Sequence, residues 1–261
     1  MIDTFTSYRM ITADLTKSID RVKSQPMVQR ETEYYLENIS KVKSVKDFVA
    51  DDRLFRYAMK AHGLADMAYA KAFMVKALEG GIEEKDSFAN KLTDKRYAAF
   101  VETFNFARHG ETATTFTKAQ QGTVDKYLRQ TLEEDAGAQN EGVRLALNFA
   151  RNAADIKTAF DILANPAYSK VVRTVLGLPD SFATADIDKQ AAMIEQRIDL
   201  EEFQDPEKLE KFLGRFTSMW ELQNPTATAS TSIAALFSQP VEYGISADLM
   251  MTLQGLKLGG K

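Results

Sequence analysis

The chain contains no cysteine. Disulfides, thiolate nucleophiles and cysteine-ligated metals are excluded at once. Histidine is scarce as well, with only His62 and His109 present. No apolar run approaches the ~18 residues of a membrane-spanning helix. The start, MIDTFTSYRMIT, has neither the basic region nor the apolar region of a Sec-type signal peptide. A basic excess is also missing: 33 Lys+Arg face 37 Asp+Glu, for a net charge of −4. That balance argues against a nucleic-acid binder, which would carry a basic stripe. Alternating runs rich in Val, Ile and Thr, the mark of half-buried strands, do not occur.

What is present is helical spacing almost throughout. An apolar fraction of 44% is enough for a real core. Residues 28–39 and 66–79 repeat apolar side chains at three and four. Asp94 is placed to cap a helix over residues 95–107, whose Tyr97, Phe100, Val101 and Phe104 share a face. Thr123 is placed to cap the longest run, residues 124–152, roughly 40 Å of helix at 1.5 Å per residue. Gly137 and Gly142 would weaken its middle and bend it.

The chain also repeats itself. Residues 42–66 align with residues 156–180 at an offset of 114, with six of 25 pairs identical. The matches fall on helix punctuation. Ser44-x-x-Asp47 and Thr158-x-x-Asp161 are capping-box-like starts. Asp51 and Asn165 suit the N-cap of the next helix, with Pro166 at its first position. Gly63 and Gly177 suit a left-handed helix end. Asp205-Pro206 repeats the cap-plus-proline start. The expectation is an all-α, multihelical fold of two duplicated helical units joined by a long central helix. Its divisions are residues 1–122, residues 123–223, and a linker with a C-terminal amphipathic helix over residues 224–261.

Charge is uneven. Residues 1–130 hold 21 basic and 18 acidic side chains, and residues 131–261 hold 12 and 19. Residues 180–210 alone contain ten acids and three bases. The plain reading is a solvated helix face.

Few residues offer chemistry. Arg108-His109-Gly110-Glu111-Thr112 is the signature of histidine phosphatases, in which the histidine ends a buried strand. Here the preceding YAAFVETFNFA has helical spacing, and no second histidine lies downstream. His109-Gly110 therefore reads as a helix stop. His62 precedes Gly63, and its counterpart in the second unit is Leu176, so it reads as packing or capping. Glu133-Glu134-Asp135 lacks the Glu-x-x-His pairs of a helical di-metal site. There is no glycine-rich phosphate loop. No catalytic, metal-binding or cofactor-binding residue is assigned, and no cofactor is expected.

Several stretches resemble a bacterial family known as domain of unknown function 1217. They include Arg53-Leu54-Phe55-Arg56-Tyr57-Ala58, Phe88-Ala89-Asn90-Lys91-Leu92, Arg129-Gln130-Thr131-Leu132-Glu133-Glu134 and Gly142-Val143-Arg144-Leu145-Ala146-Leu147. The resemblance covers roughly residues 8–222. It implies a multihelical fold and, through gene neighbourhood, an association with the flagellum. It brings no catalytic residues.

The expected function is therefore that of a non-enzymatic protein-binding protein, a flagellar structural or assembly factor. The alternatives are a cytoplasmic adaptor or chaperone, or an enzyme of unrecognised type. Other proteins are the expected partners, flagellar components among them, with no nucleic acid and no membrane span. The location is cytoplasmic, or flagellar by export without a Sec signal. In the tail, Ile245, Leu249, Leu253 and Leu256 form one apolar face, flanked by Met250 and Met251. So short a helix must dock, either on the chain's own core or on a partner or second copy; in the second case Ile245, Leu249, Met250, Leu253 and Leu256 are the partner-binding residues.

Overall fold

Short polar side chains that accept hydrogen bonds from free backbone N–H groups start most of the helices. Asp3, Asp14, Ser44, Asp51, Asp94, Asn140, Thr158, Asn165 and Asp186 all act this way. The computed structural model describes residues 2–225, all α-helix, 3₁₀ turn and loop with no strand among them. The tail residues Ile245, Leu249, Met250, Leu253 and Leu256 lie outside the described residues. Residues 2–222 make one compact unit.

In chain order come α1 (Thr4–Ala13), α2 (Leu15–Lys23), α3 (Pro26–Ile39), α4 (Val45–Ala50), α5 (Asp52–Ala61), α6 (Lys71–Gly80), α7 (Phe88–Lys91), α8 (Lys95–Thr103) and α9 (Phe106–His109). They are followed by α10 (Gln121–Gln139), α11 (Glu141–Asn152), α12 (Ala159–Leu163), α13 (Pro166–Leu176), α14 (Ile187–Arg197) and α15 (Pro206–Gln223). The side chains divide into two apolar cores. The first runs from Val22 to Leu132 and centres on Phe48, Phe55, Phe100 and Phe104. The second takes Tyr8 from α1 and residues from Val143 to Trp220, with Phe149 and Phe216 fully buried.

The long central helix does not exist as one rod. It breaks at Asn140, whose backbone is extended and whose side chain accepts from the N–H groups of Gly142 and Val143. The chain reverses there, and α10 and α11 pack as an antiparallel hairpin. Moving away from the turn, Gly137 meets Arg144, Glu133 meets Asn148, and Gln130 meets Arg151. The two glycines do not bend a helix; they allow contact. A Cβ at Gly137 would lie 2.6 Å from Arg144 Cδ, and one at Gly142 would lie 2.4 Å from the indole of Trp220. α10 contributes Val124, Tyr127, Leu128 and Leu132 to the first core, while Ala136 near its end packs on the second.

Three smaller expectations are corrected in the same way. Thr123 does not start α10; the helix begins two residues earlier, and the Thr123 hydroxyl donates to the carbonyl of Lys118 at 3.1 Å. The helix expected over 95–107 ends at Thr103, and Asn105 caps a separate short helix. The segment 66–79 opens with a 3₁₀ turn at Ala65–Met67, and the α-helix starts at Lys71.

The helix boundaries keep the 114-residue offset. α4 starts at Val45 and α12 at Ala159; α5 starts at Asp52 and α13 at Pro166. Gly63 and Gly177 both have positive φ, 69° and 64°, a region that favours glycine. Around them the hydrogen bonds match pair by pair: Leu64 N–H to Met59 O and Gly63 N–H to Lys60 O in the first unit, Leu178 N–H to Arg173 O and Gly177 N–H to Thr174 O in the second. This is the Schellman ending in both places. We propose on this basis that the two units are a duplication. Superposing residues 25–66 on residues 139–180 tests it, and paired helix starts more than about one turn apart would end the idea.

The hairpin gives a second test. In a continuous helix, Gly142→Ala would stabilise by up to about 1 kcal/mol. Against the Trp220 indole it should instead cost about 1–3 kcal/mol, the scale of overpacking. Urea unfolding of the full chain decides the sign.

Candidate functional site

The hairpin brings together two polar stripes that are far apart in sequence. On α10, Lys126, Gln130, Glu133 and Glu134 fall at spacings of four, three and one, hence on one helix face. On α11, Arg144, Asn148, Arg151 and Asn152 do the same. Together with the end of α5, the start of α8 and the start of α13, they enclose a cleft of about 660 Å³ between the two cores.

Glu133 lies deepest, only 1% exposed. Its Oε2 accepts from Arg151 Nη2 at 2.9 Å and from Asn148 Nδ2 at 3.3 Å. Its Oε1 faces Arg129 Nε at 3.4 Å without hydrogen-bond alignment. Burial raises the Glu133 pKa, and the two guanidinium groups and Asn148 only partly offset it. Arg151 also donates to Gln130 Oε1 at 3.0 Å, and the Gln130 amide in turn reaches Glu134, which pairs with Lys60 at 2.8 Å. Asp135, the third acid of the run, points elsewhere and accepts from Gln25 at 2.7 Å.

His62 closes the inner wall. Its backbone ends α5, as its place before Gly63 suggested. Its ring meets Phe100 edge-on at 5.3 Å, and its Nε2 is buried without a partner. Burial lowers its pKa to about 3, and the nearby charges of Lys126 and Arg151 push the same way. The imidazole is therefore neutral at physiological pH.

His109 stands apart from this cleft. It ends α9, a four-residue helix capped by Asn105, and Gly110 follows with φ 52°. Its ring packs against Phe116 at 4.7 Å. The strand that a histidine phosphatase needs before this residue is a helix here. Among the described residues, no cluster of three or more His, Asp or Glu is arranged to hold a metal ion.

A second depression adjoins the cleft and shares Arg96, Asn152, Asp155 and Tyr168 with it. It is a groove of about 430 Å³ with an apolar floor that includes Ile156, Phe160 and Ile187. Phe160 is 48% exposed and Ile187 53%. Asp94, Asp155 and Asp161 line it, and Asp186 and Asp188 flank Ile187 on α14.

An all-α protein with two cores and a charged cleft between them is thus the class defined by fold and site. The chain belongs to the family described as protein of unknown function (DUF1217), whose model matches residues 61–209. It is similar to a crystal structure of protein AGR_C_984 from Agrobacterium tumefaciens, with 54% sequence identity, 85% of this chain and 94% of that chain covered, and a TM-score of 0.80. Comparison with curated proteins found no match. Among the described residues, no helix is long and apolar enough to cross a membrane.

The neutral His62 makes stability depend on pH. Its folded pKa lies below the ordinary value, so the unfolded chain binds the extra proton as pH falls through 6.5 toward 3. Stability from this group is present above pH 6.5 and lost below it. From pH 7 to 5.5 the loss should be about 1 kcal/mol. Replacing His62 with Leu, the residue found at position 176, should remove that part of the pH slope in urea unfolding. An unchanged slope would refute a buried neutral imidazole.

Proposed function

We propose that this chain is a non-enzymatic protein-binding protein, serving flagellar structure or assembly, and that a partner segment docks in the groove at Phe160 and Ile187. The observation that carries the reading is an apolar floor left open to solvent, bordered by Asp94, Asp155 and Asp161 and on one side by Lys95 and Arg96. Isolated exposed apolar residues are ordinary, whereas apolar side chains grouped in a groove mark binding surfaces. The fold itself does not demand an aromatic at position 160: at the 114-residue offset the first unit has Lys46, also exposed. The border sets the partner's chemistry. Asp155, Asp186 and Asp188 stand near the groove, at the edge of a stretch with ten acids and three bases over residues 180–210. A segment with apolar anchors on one face and Lys or Arg on the other matches that surface.

The flagellar part of the reading comes from the family's gene neighbourhood and the groove does not bear on it. Basal bodies purified from cells should contain the protein. Its absence there, with partners captured from the cytoplasm, would favour the adaptor or chaperone reading.

Phe160→Asp and Ile187→Asp test the groove. Both side chains are about half exposed, so unfolding free energy should change by about 1 kcal/mol or less. Losing one apolar anchor should weaken partner retention about tenfold or more. Retention equal to that of the unaltered chain would sink the groove as the docking site.

A further inference from the structure

The charged cleft carries a different inference, which stands whether or not the groove holds a protein. Among the described residues, one cation there has no ion-pair partner and another has a donor to spare. Among the described residues Lys126 makes no ion pair, although it projects from the same face of α10 as Gln130 and Glu133. Arg151 gives Nη2 to Glu133 and Gln130, while its Nε is buried without a partner. Arg129 and Arg151 share the single carboxylate of Glu133. The other acid on this face of α10, Glu134, is occupied by Lys60. Arg151 therefore keeps a buried N–H that Glu133 does not take up. Buried polar atoms without partners are uncommon in folded proteins, and each calls for an explanation such as a missing ligand.

We propose that the inner end of the cleft binds the phosphate group of a small molecule, held by Lys126 and Arg151 beside the ring of His62. Donors reach this place from two helices: the ammonium of Lys126 from α10 and the guanidinium of Arg151 from α11. A tetrahedral oxyanion accepts hydrogen bonds from such divergent directions, whereas a planar carboxylate matches one forked donor. The cleft, at about 660 Å³, is much larger than a phosphate ion and is within the range of small-molecule sites. Its outer part presents the exposed carboxylates Asp66 and Asp155, which accept hydrogen bonds and suit hydroxyl groups on the rest of the molecule. The acids facing the bound group are Glu133 and, beside Lys126, Glu102; the further cations are Arg129 and Lys118. Partial loss of water around its stem lowers the Lys126 pKa and Arg151 pushes the same way against Glu102, so an arriving anion would relieve that like-charge repulsion.

The two histidines make the test direct. In the full chain, the imidazole signals of His62 and His109 are the only ones present, and His109→Gln identifies which belong to His62. Inorganic phosphate titrated against chloride at constant ionic strength should move the His62 signals in a saturable way, leaving His109 unmoved. The dissociation constant should be on the order of millimolar, as suits a ligand of few atoms. Lys126→Met, a change at an exposed side chain, should weaken it about tenfold while the circular dichroism spectrum stays the same. Four results would overturn the proposal: His62 unmoved by phosphate, an equal response to chloride, acetate binding as tightly as phosphate, or undiminished binding in Lys126→Met.

Discussion

Glu133 is the point on which the two halves of the molecule meet. It is a carboxylate withdrawn from water, held between Arg129 from its own helix and Arg151 from the facing one. Such a cluster is a poor source of net stability, because removing charges from water costs about as much as their attraction returns. Its effect is on specificity. Losing one member leaves a charge buried alone, at a cost of about 3–5 kcal/mol, so arrangements in which α10 and α11 slide past each other are disfavoured. The hairpin register, the position of each stripe on the cleft wall and the approach of the second core to the first all follow from that pairing.

The turn at Asn140 has the complementary role. Its amide caps α11 and also donates to the hydroxyl of Thr4 at 2.8 Å, while Thr4 passes its own N–H and O–H to Glu221. One buried polar junction thus links α1, the hairpin turn and α15. Thr4 has 0% exposure, so its N–H and hydroxyl must find their partners inside the protein.

Much of the helical punctuation was readable beforehand because it is local. Ser44, Asp51, Thr158, Asn165 and Asp205 act on N–H groups two or three residues away, and proline and glycine at 166, 63 and 177 act on their own backbone. The break at Asn140 was missed for the opposite reason. Helical periodicity runs through it, and the two glycines looked like weak points in one rod when their purpose is contact with Arg144 and Trp220, partners that local reasoning cannot see. The cleft was lost with the turn. In a straight helix, Lys126 and Arg151 would lie more than 35 Å apart at about 1.5 Å per residue. The Asn140-Glu141-Gly142-Val143 sequence did hold a signal, since asparagine is a favoured N-cap and Glu141 stands in the first turn behind it.

The packing of the aromatic residues has a practical consequence. Trp220 is the only tryptophan, and it sits in the second core over Gly142, with Lys170 above the ring at 4.8 Å. The stacked tyrosines Tyr35, Tyr57 and Tyr127 belong to the first core. Each half of the molecule therefore carries its own optical signature. Indole emission reports on the second core and tyrosine absorbance mainly on the first. The cooperativity between two halves of one chain can be followed with light, without attaching any label.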